Sequence, residues 1–167
     1  IMKNSTKKAL NEDLKSMGGL LGGEEKLIMA RKDKKPVCGS FMSKVIAYSM
    51  GVLEVNTSMG LIVAAPTAGS SGVIPGVFTA IQEEYDLTDD QMMDAMLVAS
   101  AVGYIITRNA TVSGAEGGCQ AEMGSASAMA AAAITEIMGG TPSQALDAAS
   151  SAIGNMLGLV CDPIAGL

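Results

Sequence analysis

The chain has no histidine and no tryptophan, aromatic residues make up 3% of its 167 residues, and beyond residue 44 its one basic side chain is Arg108. Each shortage removes possibilities. Without histidine, this chain alone cannot build a Ser-His-Asp triad, a Cys-His pair or a His-based zinc site. Every lysine falls in the first 44 residues, so no lysine stands out as an anchor for pyridoxal phosphate. The net charge of −6 argues against nucleic acid as a partner. Three cysteines at wide spacing (Cys38, Cys119, Cys161) make no disulfide framework. The odd count, with no signal sequence, points to a reducing cytoplasm. Residues 61–82 carry no charge, but Pro66, Pro75, Gly69, Gly72 and Gly76 make that run poor material for a lipid-spanning helix.

What is present is alanine, glycine and methionine, which carry much of a 49% hydrophobic content and suit helices that approach closely. Charge is unevenly placed. Residues 1–44 hold ten of the eleven bases, and residues 101–167 hold only six charged side chains. A free-standing surface carries more, so the second half is expected to be largely buried, in a bigger fold or against another subunit.

No stretch alternates like an exposed strand, and the expected class is all-α: one helical domain over 1–167, with Gly-rich connecting loops. Residues 1–35 form a polar, Lys-rich lead-in, weakly helical to Met17, after which Gly18 to Gly23 looks like a flexible connector. A helix is expected from Gly39 to Met59, with Val45, Ile46, Ser49, Val52 and Leu53 on its apolar face and Gly60 as its stop. Another runs from Pro75 to Tyr85. Thr88 to Gln91 has capping-box spacing and opens a helix to Ile106 that, uncharged beyond Asp94, should be buried all round. A polar link from Thr107 to Ser113 leads into a Gly-rich loop. Ser125 to Met138 is helical, stopped by Gly139-Gly140. Thr141-Pro142-Ser143-Gln144 caps a last helix whose apolar face holds Leu146, Ala149, Ile153, Met156 and Leu157.

Three places could do chemistry. Thr67-Ala68-Gly69-Ser70-Ser71 before a helix start is a cradle for a carboxylate or phosphate, although a plain Gly/Ser turn would look the same, and no Gly-Lys-Ser/Thr follows to make it a P-loop. Cys119 sits in a glycine-rich polar loop from Gly114 to Gly124, and Cys161 in a Cys-Asp-Pro turn. Spacing alone makes the two a weak metal signal, and small buried hydrophobes would serve as well. Their surroundings favour a bulky, negatively charged iron–sulfur cluster, which needs close backbone approach and N–H donors near sulfur.

Ser113-Gly114-Ala115-Glu116-Gly117-Gly118-Cys119-Gln120-Ala121-Glu122-Met123-Gly124 closely resembles the signature of the iron–sulfur-dependent L-serine dehydratases, α chain or α domain. Further matching motifs follow in the family's order: Gly19-Leu20-Leu21-Gly22-Gly23, Glu54-Val55-Asn56-Thr57-Ser58-Met59-Gly60, Ala64-Ala65-Pro66-Thr67-Ala68-Gly69-Ser70-Ser71-Gly72, and Leu159-Val160-Cys161-Asp162-Pro163. The resemblance covers roughly residues 18–167. It implies a cytoplasmic lyase converting L-serine to pyruvate and ammonia, with no pyridoxal phosphate and a [4Fe–4S] cluster held by three cysteines. It makes Cys119 and Cys161 two of these ligands and places the third in a Pro-Cys segment beyond Leu167. The chain is therefore expected to be a piece of the α part, lacking N-terminal sequence as well and inactive by itself.

The resemblance further implies serine contacts at Asn56, Ser58, Thr67, Ala68, Gly69, Ser70, Arg108, Asn109, Gln120 and Glu122, and a partner β chain or β domain within a homo- or hetero-oligomer. That β part carries a Ser-Ser-His-Thr type motif whose histidine could be the base, so the catalytic base is unassigned. Arg108, where the family tends to have lysine, fits a carboxylate anchor and a helix-end cation equally. Cys38 matches no cluster motif and is taken as structural. Two alternatives stay open: the related cysteine desulfidases, which the Glu116 to Glu122 stretch fits less well, and a metal-free helical assembly module.

Overall fold

The strongly periodic stretches are helices in the structure, a computed structural model that describes residues 1–159. Among the described residues there are eight helices and no strand: α1 (Met2–Asn11), α2 (Glu24–Met29), α3 (Gly39–Thr57), α4 (Val73–Glu84), α5 (Asp89–Asn109), α6 (Gly114–Gly117), α7 (Cys119–Ile137) and α8 (Pro142–Met156). The expected all-α class holds. The chain divides into two compact units, Ile1–Thr88 and the part from Asp89 onward.

In the first unit, α1, α2 and α4 all pack against α3. The buried set on α3 is therefore Ser43, Ala47, Tyr48, Gly51, Val52, Glu54 and Val55, wider than the single face the spacing suggests, and Ile46 is left exposed. Small residues let α4 come close. A Cβ on Gly72 would lie 2.4 Å from the Ser49 carbonyl oxygen, and one on Gly76 would lie 2.1 Å from Ser49 Oγ. Helix α4 begins two residues before Pro75, which sits buried in its first turn. Helix α1 is anchored by buried Ala9 and by the Thr6 and Thr79 hydroxyls, 3.2 Å apart.

The lead-in is accordingly part of the packed unit. Gly18 to Gly23 is a hydrogen-bonded turn rather than a free connector: Ser16 N–H donates to the Leu21 carbonyl, Met17 N–H to that of Thr57, and Gly22 N–H to Glu24 Oε2. Composition shows the glycines but not the partners that tie them down.

Helix α3 ends in a Schellman motif in which Gly60 N–H bonds to the Val55 carbonyl at 2.8 Å. The left-handed residue is Met59, with φ 63°, not Gly60. Gly60 is needed for a different reason, since a Cβ there would meet Val55 Cγ1 at 2.6 Å. A side chain in the left-handed region costs about 1–2 kcal/mol. Met59→Gly should therefore stabilise the chain by about 1 kcal/mol, read as a higher urea midpoint at unchanged slope. An unchanged midpoint would show that Met59, 77% exposed, recovers that cost through contacts elsewhere.

In the second unit, α7 packs against both α5 and α8. The α7 core is almost entirely small: Gly124, Ser125, Ala126, Ala128, Ala130, Ala132 and Ala133 are buried. Where α5 crosses it, a Cβ on Gly103 would lie 2.8 Å from Met129 Cε. Helix α8 carries the expected capping box, with Gln144 N–H donating to Thr141 Oγ1 at 3.3 Å and Thr141 N–H to Gln144 Oε1 at 2.8 Å.

Two expectations change here. Helix α5 buries Ala95, Ala99, Val102 and Gly103 but leaves Met93, Leu97, Tyr104 and Ile105 exposed, so this chain by itself does not bury it all round. Helix α8 packs through Ala145 and Ala149, while Leu146, Ile153 and Leu157 face outward. An Ala-rich α7 is best met by alanines, which bring the two axes close, and the larger apolar side chains are displaced to the rim. Between α5 and α8 lies an apolar groove of about 250 Å³, lined by Val98, Val102, Ile105, Pro142 and Leu146 among others. No helix among the described residues is long and apolar enough to cross a membrane.

Candidate functional site

The glycine-rich signature stretch is not one loop. Ser113 accepts backbone N–H bonds from Glu116 and Gly117, which closes the single turn of α6. Gly118 then takes φ 75°, ψ 172°, and Cys119 opens α7, six residues earlier than periodicity suggested. Gly118 supplies the break that a residue with a Cβ would resist, and a Cβ added there would meet nothing within 4 Å. Gln120, Ala121, Glu122 and Met123 are good helix formers and carry α7 back to that break. Cys119, Gln120 and Glu122 thus sit on the first turn of a helix, whose N-terminus favours negative charge.

Around that turn, Cys119 and Gln120 are half-buried. A Cβ on Gly114 would lie 3.0 Å from Glu122 Oε2, so the α6 backbone rests against that carboxylate. On α6, Glu116 Oε2 accepts from Thr111 Oγ1 at 2.6 Å. The Gln120 carboxamide reaches residues 158 and 159, accepting from Gly158 N–H at 3.1 Å and donating to the Leu159 carbonyl at 2.5 Å. Cys161 lies outside the described residues. Arg108 stands exposed in the last turn of α5, and Asn109 Nδ2 donates back to the Ile105 carbonyl at 2.8 Å. The link into the signature is therefore shorter than expected, from Ala110 to Ser113.

In the first unit, the hydroxyl-rich loop follows a cis peptide between Ala65 and Pro66. Ser70 is buried, its Oγ 3.0 Å from Thr67 Oγ1, and it braces the turn from inside. Ala68 and Gly69 form the exposed tip, and Asn56 Nδ2 ties that tip to α3 by donating to the Ala68 carbonyl at 3.2 Å. Ser58 Oγ donates to the Val55 carbonyl at the end of α3. Asn56, Thr67, Ala68 and Ser70 are thus brought into one hydrogen-bonded cluster, with Ser58 beside it in sequence.

Cys38 precedes α3 and is exposed, its thiol 3.4 Å from Ser43 Oγ. Among the described residues there is no group of three or more Cys, His, Asp or Glu able to hold a metal ion.

Sequence reasoning passed over one feature entirely. Glu25, on the short helix α2, is completely buried, and neither carboxyl oxygen has a hydrogen-bond partner. It lies against Gly51, where an added Cβ would come 1.8 Å from Glu25 Oε2. Glu54, one turn further along α3, accepts from Gly23 N–H at 2.8 Å and from Glu25 N–H at 2.7 Å. Burial, and secondarily the Glu54 charge, push the Glu25 carboxyl up to about 8. Tyr48 donates to both oxygens of Glu83, which pairs with Lys7 at 3.0 Å. Its phenol is held well above the ordinary range, first by burial and then by the Glu83 bond. The available signal was Gly51, three residues before Glu54, the one acidic residue of α3.

These residues can be compared with known sequences. The family model described as serine dehydratase alpha chain matches residues 1–167. The chain belongs to this family. The L-serine dehydratase alpha chain of Peptoniphilus asaccharolyticus is 56% identical over 133 residues, covering 80% of this chain and 46% of that protein. The probable L-serine dehydratase alpha chain of Bacillus subtilis (strain 168) is 45% identical over 168 residues, covering all of this chain and 56% of its own length. That of Latilactobacillus sakei is 48% identical over 126 residues, 75% of this chain and 60% of the relative. The chain spans about half the length of these relatives. The signature turn, the Thr67–Ser71 loop and the Asn56 region all fall inside the matched range.

Proposed function

We propose that this chain forms part of the α portion of an L-serine dehydratase, an ammonia-lyase that converts L-serine to pyruvate and ammonia. The observation that carries this reading is the family match along all 167 residues. The relatives' names specify serine, which favours it over cysteine desulfidation.

The finer proposal is a [4Fe–4S] cluster with Cys119 and Cys161 among its thiolate ligands. The donor set fits in kind: Cys119 opens a long helix, beside a glycine whose Cβ position is open space, and a cluster is stabilised by nearby N–H groups and close backbone approach. A bound cluster would supply a Lewis-acidic iron for the departing hydroxyl, a poor leaving group. What this chain's own residues do is more limited. The first turn of α7 presents Cys119 in a helix N-terminal field that suits a negatively charged group. By resemblance, Asn56, Ser58, Thr67, Ala68, Gly69, Ser70, Arg108, Asn109, Gln120 and Glu122 are proposed serine contacts. The base that takes the Cα proton is left unassigned, and a histidine of the β part is one candidate for it.

The test is anaerobic preparation of the α chain with its β partner, followed by iron and sulfide analysis and assay of pyruvate from L-serine and from L-cysteine. Brown protein that loses colour and serine turnover together in air is the expected result. Iron-free protein with full serine turnover would sink the cluster; turnover of cysteine but not serine would sink the substrate.

A further inference from the structure

Helix α5 carries no charged side chain between Asp94 and Arg108, yet one face of that stretch is bare. Met93, Leu97, Ser100, Ala101, Tyr104 and Arg108 are exposed, on the side away from the contact with α7. The stripe repeats at seven, Leu97 with Tyr104, and Asp94 with Ala101 and Arg108. Seven residues make nearly two whole turns, so the stripe runs almost along the helix axis, as the seam of a coiled coil does. Leu97 and Tyr104 are each 66% exposed. The hydroxyls on the stripe are satisfied within the helix. Ser100 Oγ donates to the Met96 carbonyl at 2.7 Å and Thr107 Oγ1 to that of Gly103 at 2.8 Å, so covering them strands no polar group. Among the described residues, neither the Asp94 carboxylate nor the Arg108 guanidinium has an ion-pair partner.

The order of residues along the stripe suits pairing with itself. Asp94 and Arg108 stand seven residues to either side of Ala101 and carry opposite charges. With a two-fold axis near Ser100 and Ala101, an antiparallel copy of α5 sets Leu97 level with Tyr104 and Asp94 level with Arg108, twice over by symmetry. The small side chains of Ser100 and Ala101 meet at the centre and let the two axes come close. A covering segment of another sequence would not need opposite charges equidistant from a small centre. We propose that the exposed face of α5 is a homodimer contact, in which two copies of this chain pair α5 antiparallel about Ser100 and Ala101 and join Asp94 of each copy to Arg108 of the other. The inference does not rest on the serine reading above. It competes with that reading at Arg108 alone, so its test reads mass rather than turnover.

One helix pair makes a small interface, below about 1,200 Å² in total, and association in the micromolar range is expected. Sedimentation equilibrium of the full α chain should show monomer and dimer in balance, with less dimer at high salt. Arg108→Glu and Asp94→Lys each set like charges together twice per dimer and should raise Kd about tenfold or more. The double variant restores both pairs with their signs exchanged, and should return to within about threefold of the parent. Leu97→Gln changes no charge and should weaken the dimer by about tenfold, with no rescue from the charge exchange. All these side chains are exposed, so helix content should be the same in every variant. A parent that stays monomeric at about 100 μM would overturn the proposal and give this face to another segment or to the β part. Single variants that dimerise like the parent, or a double variant no better than the singles, would overturn it as well.

Discussion

Cys119→Ser should all but abolish pyruvate formation from L-serine in the assembled enzyme while leaving the helices intact. Serine is well tolerated at the start of a helix, and Cys119 opens α7 without belonging to its buried core, so no packing is lost. On the proposed cluster reading, what is lost is a soft thiolate ligand, which iron prefers to a hydroxyl. If iron stabilises the departing oxygen by several kcal/mol, its loss costs roughly 10³-fold or more in rate. Iron content should fall with activity. Cys38→Ser, at an exposed thiol outside the signature, should change neither. Serine turnover and iron both surviving in Cys119→Ser would remove Cys119 from the site.

The second large effect concerns Glu25 and stability. Its folded carboxyl is pushed up to about 8 from an ordinary value of 4.5, because an ionised carboxylate without donors is very costly to bury. Below the unfolded value both states hold the proton and the site carries no penalty. Between the two values the unfolded chain releases it while the folded chain keeps it, so unfolding becomes easier as pH rises. Stability is therefore lost from about pH 4.5 to about pH 8. The total is on the order of 5 kcal/mol at 1.36 kcal/mol per unit. Glu54 and Tyr48 on α3 face the same space, and Glu54's charge adds to the shift. Glu25→Gln removes the titrating group, so its urea midpoint should stay nearly flat from pH 5 to pH 8 while the parent's falls. Parallel profiles for the two proteins would show that Glu25 ionises normally, through hydration of the site.

The outcomes at particular elements show where residue patterns carry structural information. The α8 capping box could be read directly, because Thr141 and Gln144 bond within their own turn. The Gly139-Gly140 stop was equally legible, with Gly139 at φ 82° and Gly140 N–H bonded to the Thr135 carbonyl. The start of α7 was not. Glycines at 114, 117, 118 and 124 suggest one loop, yet Gly124 is buried within a helix and only Gly118 breaks the chain. Which glycine acts as a break and which as a packing surface depends on what lies opposite, as Met156 does for Gly124.

By itself, then, the sequence determined the helical class, the punctuation of most helices, the family, and the pair of cysteines to suspect, since each rests on local spacing or on a motif contiguous in the chain. The tertiary structure decided which faces are buried, that α1 and α2 belong to the packed first unit, that Glu25 sits without a partner against Gly51, and that Gln120 holds residues 158 and 159. Each of these joins residues distant in the chain, at separations such as 26 or 38 positions, where nothing in local periodicity records which side chain will be opposite. The residues of the signature are legible in the sequence; the fold puts Cys119 at the head of α7 and bonds Gln120 to residues 158 and 159.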